Sequence, residues 1–365
     1  MTNIITFPPV DCLPVGHGCR DMNLQILVNA VATERRLPDD VFWLKENAEL
    51  LGVLASTQAH RAPLDLTPYA EFYERIDQQL RFFPQYYRFY LSLCLDLEDL
   101  GFDGNKGEAL CHWVARKELA QAELSDLQRG EACRLLARRG AGDVLTRTKV
   151  AQRLRSFSER VETFALPNKK AAYELTHIVF YLSDYGKTDP ALSAATLTSL
   201  EFAGVLAFLD QNHDLLAEVC IALTFAGTTP NRAWIRTIEK THGQILPTAG
   251  RAEETKQDAY HAYLMTGWAQ AVSGETGFDA PVPNGPLYFR ATSRPVSALR
   301  PLSECLYELG ARRSGDWASM RGRIMPLLAR QSRDILQATE ASTGKFDVFF
   351  EAFARAGNRW AVGAG

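Results

Sequence analysis

The chain has 365 residues, 46% of them hydrophobic, and a formal net charge of -3 at pH 7. This composition is sufficient for a large buried core, and the absence of net positive charge excludes a protein that binds nucleic acid through a broad basic field. No apolar stretch approaches the ~20 residues that a membrane span needs, so we expect no membrane partner.

The seven cysteines are scattered, and no two of them have CxxC spacing. This pattern is typical of a reducing compartment and argues against a disulfide framework or a zinc finger. The first residues lack the basic start and long apolar core of a secretory signal. We therefore expect a cytoplasmic protein.

Helical signals dominate the first half of the chain. Residues 1–20 are interpreted as a flexible N-terminal segment, and residues 21–273 as the main helical domain. Thr67 followed by Pro68 predicts a helix start, with Thr at the N-cap and Pro in the first turn. Gly101 is typical of a helix end.

Basic residues recur between positions 134 and 155. They form two runs: Arg134, Arg138 and Arg139, followed by Arg147, Lys149, Arg153 and Arg155. Taken alone, such runs indicate a solvated helix face with a flanking loop.

Apolar spacing in the second half predicts six further helices up to residue 272. Their approximate ranges are 144–164, 169–184, 192–209, 213–226, 229–242 and 252–272. Residues 274–300 are rich in Gly, Pro and Ser and predict a long loop or lid, or a linker, with a short hairpin near Leu287–Ala291. Residues 301–365 predict C-terminal helices packed on the same domain, ending in a frayed tail.

The predicted fold class is all-α. Helices of ~12–20 residues joined by short turns pack as antiparallel neighbours. Around a dozen of them form either a closed α/α toroid or an open helical-repeat solenoid. Because no fixed sequence period is visible, the toroid is favoured over the solenoid, and its central cavity would be a natural ligand site.

The segment THIVFYLSDYG, from Thr176 to Gly186, carries the first candidate site residues. In one continuous helix, His177 and Asp184 would point almost the same way and lie ~10 Å apart along the axis. Two such groups cannot bind one metal ion, although they can line one cleft. A structural alternative is a core histidine with a satisfied hydrogen bond and an aspartate that bonds to the following loop.

Asp214 and Glu218 follow in the next predicted helix but one. Their i, i+4 spacing places both carboxylates on one helix face, where they repel unless a cation or a proton lies between them. Asp214 is also explained as a favourable charge in the first helical turn. Glu218 lies among apolar turns, and a buried carboxylate requires a partner. His261, in another apolar helix, fits either a ligand or an ordinary core histidine.

Together these positions supply two imidazoles and three carboxylates. The candidate catalytic residues are His177, Asp184, Asp214, Glu218 and His261, and the candidate metal ligands are His177, Asp214, Glu218 and His261. The set suits either a divalent metal such as Fe, Mn or Zn, or a metal-free acid–base pocket with aromatic walls. The sequence contains no HExxH or DDxxD metal motif and no nucleotide-binding glycine motif.

The succession of THIVFYLSDYG, DLLAE and YHAYL resembles a group of uncharacterised bacterial all-helical proteins. Those proteins carry a TH..F..TD.G segment, a D...E helix and a YH-containing helix, and VFWLKENAELL is similar as well. The resemblance covers residues 40–270, with Ser183 in place of the usual Thr and Tyr185 in place of Phe. It implies a fold like the α/α toroids of terpene cyclases and a shared pocket, but no known reaction.

Two functional hypotheses follow from these residues. The first is an enzyme with a central helical cavity that acts on a small or peptidyl substrate, with or without a metal. The second is a non-catalytic helical scaffold that binds a peptide or protein partner on a concave surface. They differ in whether the five candidate residues meet in one cavity.

Overall fold

The computed structural model describes residues 17–57, 59–60, 62–252, 257–275 and 277–356. Most of the predicted flexible segment 1–20 lies outside the described residues, and from His17 onwards the chain is helical. The end of the predicted C-terminal tail, residues 357–365, also lies outside them. Within the described ranges, no helix is long and apolar enough to cross a membrane.

Eight helices form the first part of the fold. They are α1 (His17–Thr33), α2 (Val41–Ser56), α3 (Ala70–Phe82), α4 (Tyr87–Asp99), α5 (Lys106–Arg116), α6 (Asp126–Ala137), α7 (Val144–Ser158) and α8 (Val161–Phe164). Side-chain caps fix several starts: Ser125 accepts a hydrogen bond from the N–H of Leu127 at α6, because its oxygen satisfies an otherwise unpaired helix donor. Thr67 and Pro68 begin a short 3-10 turn that leads into α3.

Nine helices and two strands form the second part. They are α9 (Lys169–Leu182), α10 (Ala194–Asp210), α11 (His213–Phe225), α12 (Arg232–His242), β1 (Ile245–Ala249), α13 (Tyr260–Val272), β2 (Leu287–Ala291), α14 (Leu299–Leu309), α15 (Trp317–Ile324), α16 (Arg330–Ala341) and α17 (Phe346–Ala354). The all-α prediction is confirmed. The single helix predicted over 144–164 is wrong, since a break separates α7 from α8.

The predicted strand at Leu287–Ala291 is present, but the predicted hairpin is not. Strand β2 pairs antiparallel with β1, so that Ile245 lies opposite Ala291. Leu287 and Phe289 are buried at alternate positions of β2, and this period of two is what a half-buried strand requires. The partner strand comes from the segment after α12, where the sequence ILPTA carries only a weak strand signal.

Helix α11 lies at the centre of the second part. It contacts α9, α10, α12 and α13, and every residue from Leu215 to Leu223 is buried. A helix that is apolar on all sides is buried on all sides. Glu218 is therefore carried into the interior by its own helix. The contacts describe a helix enclosed by four others, and the closed toroid remains a prediction.

The C-terminal helices share the core of the preceding helices. Both α14 and α16 contact α10, and the indole N–H of Trp234 on α12 donates to the hydroxyl of Ser342, 3.1 Å away, just after α16. One contiguous apolar core extends from Leu24 to Ala354. Phe278 and Val282 anchor part of the 274–300 segment in this core. Whether that segment works as a lid remains a prediction.

A buried arginine joins the N-terminal helices to α13. Arg35 is 0% exposed; its Nε lies 3.0 Å from Glu46 Oε2 on α2, and its Nη2 lies 2.7 Å from Asp258 Oδ2. Its guanidinium also lies 4.5 Å from the ring centre of Tyr260. Because Asp258 and Tyr260 immediately precede His261, this network fixes the start of the helix that carries His261.

Candidate functional site

Glu218 is the central residue of the site. Its side chain is 1% exposed, and its Oε2 accepts a hydrogen bond of 2.6 Å from the hydroxyl of Thr176 on α9. Two imidazoles face it: His177 Nδ1 lies 3.6 Å from Oε2, and His261 Nε2 lies 3.9 Å from Oε1. Burial raises the pKa of Glu218 above its ordinary value of 4.5, and this outweighs the lowering by both imidazoles and Thr176.

His177 is held by its own helix. Its Nδ1 lies 2.8 Å from the backbone oxygen of Tyr173, one turn earlier. Because a carbonyl oxygen only accepts, Nδ1 carries the proton, and Nε2 of the neutral ring is an acceptor. The side chain is 36% exposed, so this acceptor is open to a ligand.

His261 is oriented by Asp214. Nδ1 of the imidazole donates to Asp214 Oδ2 over 3.1 Å, and the hydroxyl of Tyr173 donates to the same oxygen over 2.9 Å. The arrangement therefore directs His261 Nε2 towards Glu218. An aspartate that fixes the tautomer of a histidine in this way is a recurring feature of acid–base catalysts.

The charges around His261 shift both partners. Burial lowers the pKa of His261, but the hydrogen bond to Asp214 and the charges of Glu49 and Glu218 raise it more, so it lies above the ordinary 6.5. Burial raises the pKa of Asp214, but the bonds from His261 and Tyr173 lower it more, so it lies below the ordinary 3.8. Asp214 is thus a stable anion beside an imidazole that readily takes a proton.

A pocket opens against this cluster. We name it the central pocket, and His177, Glu218, His261 and Asp184 all line it. Its free space is about 80 Å³, which at ~10–15 Å³ per water is room for about half a dozen waters or one small group. Asp214 does not appear among the described residues that line it and acts on the pocket through His261.

Aromatic side chains form one wall of the central pocket. The rings of Phe180 and Trp268 lie 5.0 Å apart, and those of Tyr185 and Trp268 are stacked at 5.7 Å with an angle of 22° between their planes. An apolar wall lowers the local dielectric and strengthens the interactions of the neighbouring charges.

The predicted placement of Asp184 on the same helix as His177 is wrong. Helix α9 ends at Leu182, and Asp184, Tyr185 and Gly186 all have left-handed backbone angles, with φ of 45°, 55° and 84°. Such angles are unfavourable for non-glycine residues and concentrate at functional sites. Asp184 lies 3.0 Å from Arg134 Nη1, so it reaches the central pocket as part of an ion pair.

Of the four predicted metal ligands, His261 and Asp214 are hydrogen-bonded to each other, whereas Glu218 lies 3.6 Å from His177 and 3.9 Å from His261. Among the described residues, no group of three or more His, Cys, Asp or Glu side chains is arranged to hold a metal ion. Both Nδ1 atoms already donate to protein oxygens, and Glu218 Oε2 accepts from Thr176. The geometry favours the metal-free form of the site, and binding of Fe, Mn or Zn remains a prediction.

Sequence reasoning missed Glu49, Arg134 and Arg138, which also line the central pocket. Glu49 lies in the otherwise apolar part of α2, and this was a usable signal. The two arginines were interpreted as part of a solvated face, although the side chain of Arg138 is only 6% exposed. Their positions depend on how α6 packs against α9 and α4, which no local pattern contains.

The comparisons with known proteins identify one family. Its profile matches residues 1–356, nearly the whole chain, and its description is a domain of unknown function, DUF6902. No curated protein and no solved structure matches the chain.

Proposed function

The chain belongs to the DUF6902 family, and since the family's description states no activity, we propose from the geometry that the protein is an acid–base enzyme acting on a small molecule or on the end of a peptide. The observation that carries the proposal is the buried Glu218 between His177 and His261, within 4 Å of both imidazoles. A buried carboxyl of raised pKa, next to two imidazoles in a pocket, is the arrangement in which catalytic acids and bases are found.

The residues have distinct roles in this proposal. Neutral His261 accepts a proton from the substrate at Nε2, and the resulting imidazolium is stabilised by Asp214. Protonated Glu218 donates a proton to the substrate, so the two proton transfers balance. The gap of 3.9 Å between His261 Nε2 and Glu218 Oε1 leaves room for a substrate atom to approach both, since catalytic hydrogen bonds shorten when the substrate is bound. His177 Nε2 accepts a hydrogen bond and positions the substrate.

The experiment compares wild type with Glu218→Gln on a pool of small metabolites and short peptides, followed by mass spectrometry. We expect at least one compound to be consumed by the wild type, with a rate about 10²- to 10⁴-fold lower in the variant, as is usual for loss of a general acid. Glu304→Gln, an exposed carboxylate on α14 that pairs with Arg300, is the matched control. Equal turnover by the wild type and Glu218→Gln would contradict the proposal.

The metal-dependent form has its own test. Elemental analysis of untagged protein, together with thermal melting in the presence of a chelator, distinguishes the two forms. A stoichiometric metal and a melting temperature lowered by the chelator would support the metal form. If the four predicted ligands hold the metal, His261→Asn should also abolish metal binding.

A further inference from the structure

We infer that the groove between α6 and α7 binds a multiply charged oxyanion group, a phosphate or a polycarboxylate, of the ligand whose reacting part occupies the central pocket. The statement that the same ligand reaches the central pocket rests on the proposed function, whereas anion binding by the groove does not. We call this surface the arginine groove, and it is defined by Arg134, Arg138, Arg147, Arg155 and the intervening small residues. Its free space is about 570 Å³, which is ample for such a group.

The charges of the arginine groove are strongly unequal. Four arginines line it: Arg134 from α6, Arg138 directly after α6, and Arg147 and Arg155 from α7; Asp184 is the one carboxylate in the described lining. The fold brings the two basic runs together because α6 and α7 pack side by side. Planar guanidinium groups that converge on a cavity match the geometry of phosphate and carboxylate oxygens.

Two of these arginines keep an excess positive charge. Arg138 is balanced by Asp96 and Asp99, each 2.8 Å away. By contrast, among the described residues Arg155 donates only to the backbone oxygen of Ala191, over 2.9 Å, and Arg147 has no ion-pair partner. These two residues therefore supply the charge that an anion would neutralise.

The arginines at the end of α6, Arg134 and Arg138, carry unused donors. The Nε atoms of Arg134 and Arg138 are both buried and have no hydrogen-bond partner in the described part of the chain. The Arg138 side chain is 6% exposed. A buried N–H donor without an acceptor is costly, and a ligand or ordered water beside it relieves the cost.

The arginine groove adjoins the central pocket. Arg134, Arg138 and Asp184 line both cavities, so the Arg134–Asp184 ion pair lies at their shared boundary. An oxyanion held by the groove places the attached part of the same ligand beside Glu218 and the two histidines. In this arrangement the left-handed turn at Asp184 positions the carboxylate that pairs with Arg134. A ligand anion would compete with this carboxylate for Arg134.

The test is calorimetric titration of the full chain with pyrophosphate and, separately, with citrate. We expect binding of at least one probe to the wild type and a dissociation constant about five- to tenfold larger in Arg147→Gln and in Arg155→Gln, as expected for loss of one charged donor. Lys149→Gln, which removes the same charge from α7 outside the groove, is the matched control. Preference for pyrophosphate assigns a phosphoryl group, and preference for citrate assigns a polycarboxylate.

Asp184→Asn gives an opposite expectation. Asn tolerates the left-handed angle at this position, and the substitution removes the competing carboxylate, so the probe should bind several-fold more tightly. Absence of binding to the wild type, or equal weakening in Lys149→Gln and the two arginine variants, would overturn the inference. Because the titration measures no turnover, either of these results would leave the acid–base proposal standing. Conversely, a protein without acid–base activity could still bind the anion.

Discussion

At the scale of single residues, protonation is controlled by neighbours that are distant in sequence. Burial raises the pKa of Glu218, and the hydrogen bond to Asp214 together with the nearby carboxylates raises the pKa of His261. The hydrogen bond from Thr176 and the one to Asp214 determine the direction in which each group points.

We predict that Asp214→Asn lowers the pKa of His261. The wild-type imidazolium gains stability from the Asp214 charge, and this stabilisation of the fold is fully present below the ordinary pKa of 6.5 and is lost as pH rises through the folded value. Titration of the imidazole C–H signals by NMR measures the shift. Asp210→Asn, which removes a carboxylate paired with Lys169, should leave the His261 titration unchanged. An unchanged pKa in Asp214→Asn would show that Asp214 does not set it.

We predict that Glu218→Gln stabilises the fold at pH 8. Because the pKa of Glu218 is raised on folding, the wild type loses stability as pH rises from 4.5 through the folded pKa, at about 1.4 kcal/mol for each pH unit in that window. Glutamine resembles the protonated acid and avoids this loss. Urea unfolding at pH 5 and pH 8 measures the difference, which should be larger at pH 8. A less stable variant at pH 8 would mean that Glu218 is a charged structural partner of the histidines.

At the scale of elements, the site is built by three helices that meet at α11. Thr176 and His177 come from α9, Glu218 from α11 and His261 from α13, and α11 contacts both of the others. The register of α13 is fixed from outside the site by the Arg35 network. The residues proposed to perform chemistry are thus distinct from those that hold the helices in place.

We predict that Arg35→Leu destabilises the protein by about 3–5 kcal/mol, since it leaves Asp258 without its buried partner and Glu46 with Arg36 alone. Urea unfolding is the measurement. Arg75→Leu removes an arginine that pairs with Glu71 on the exposed face of α3, and it should change the stability by less than about 1 kcal/mol. Similar losses in the two variants would contradict a special role for the Arg35 network.

At the scale of the whole molecule, one apolar core connects the N-terminal helices to the C-terminal ones. The aromatic rings of the C-terminal helices pack together: the ring centre of Trp317 lies 5.0 Å from that of Phe346 and 4.8 Å from that of Phe350. The core that contains these rings also includes residues of α10 and α11. Because the site helices are part of this core, its integrity depends on the C-terminal segment as well.

We therefore predict a single unfolding transition. Far-ultraviolet circular dichroism reports all helices, and the tryptophans at positions 43, 234, 268 and 317 report separate regions of the core. Both signals should change at the same urea concentration, as expected for one cooperative unit. A separate early transition, located by hydrogen exchange to residues 301–356, would show that the C-terminal helices form an independent unit.

The sequence was sufficient to identify helices and polar residues within apolar surroundings. The i, i+4 pair Asp214 and Glu218, His177 and His261 were all found from local pattern, because a titratable group in an apolar helix stands out without knowledge of its neighbours. The end of α9 was missed because Ser183, Asp184 and Tyr185 read as a continuation of the helix. Asp184 and Tyr185 adopt left-handed angles, and their side chains contact Arg134 and Trp268, respectively.

What the sequence alone determined is the all-α class and the chemical character of the interior groups. The tertiary structure decided which groups meet. It placed Glu218 near two imidazoles and paired Asp214 with His261 through a hydrogen bond. It also brought arginines of the two basic runs together along one groove. The reason is physical. Helix formation and burial depend on residues three or four positions apart, whereas pKa values and charge convergence depend on distances between helices that are far apart in the chain, such as the 84 positions from His177 to His261.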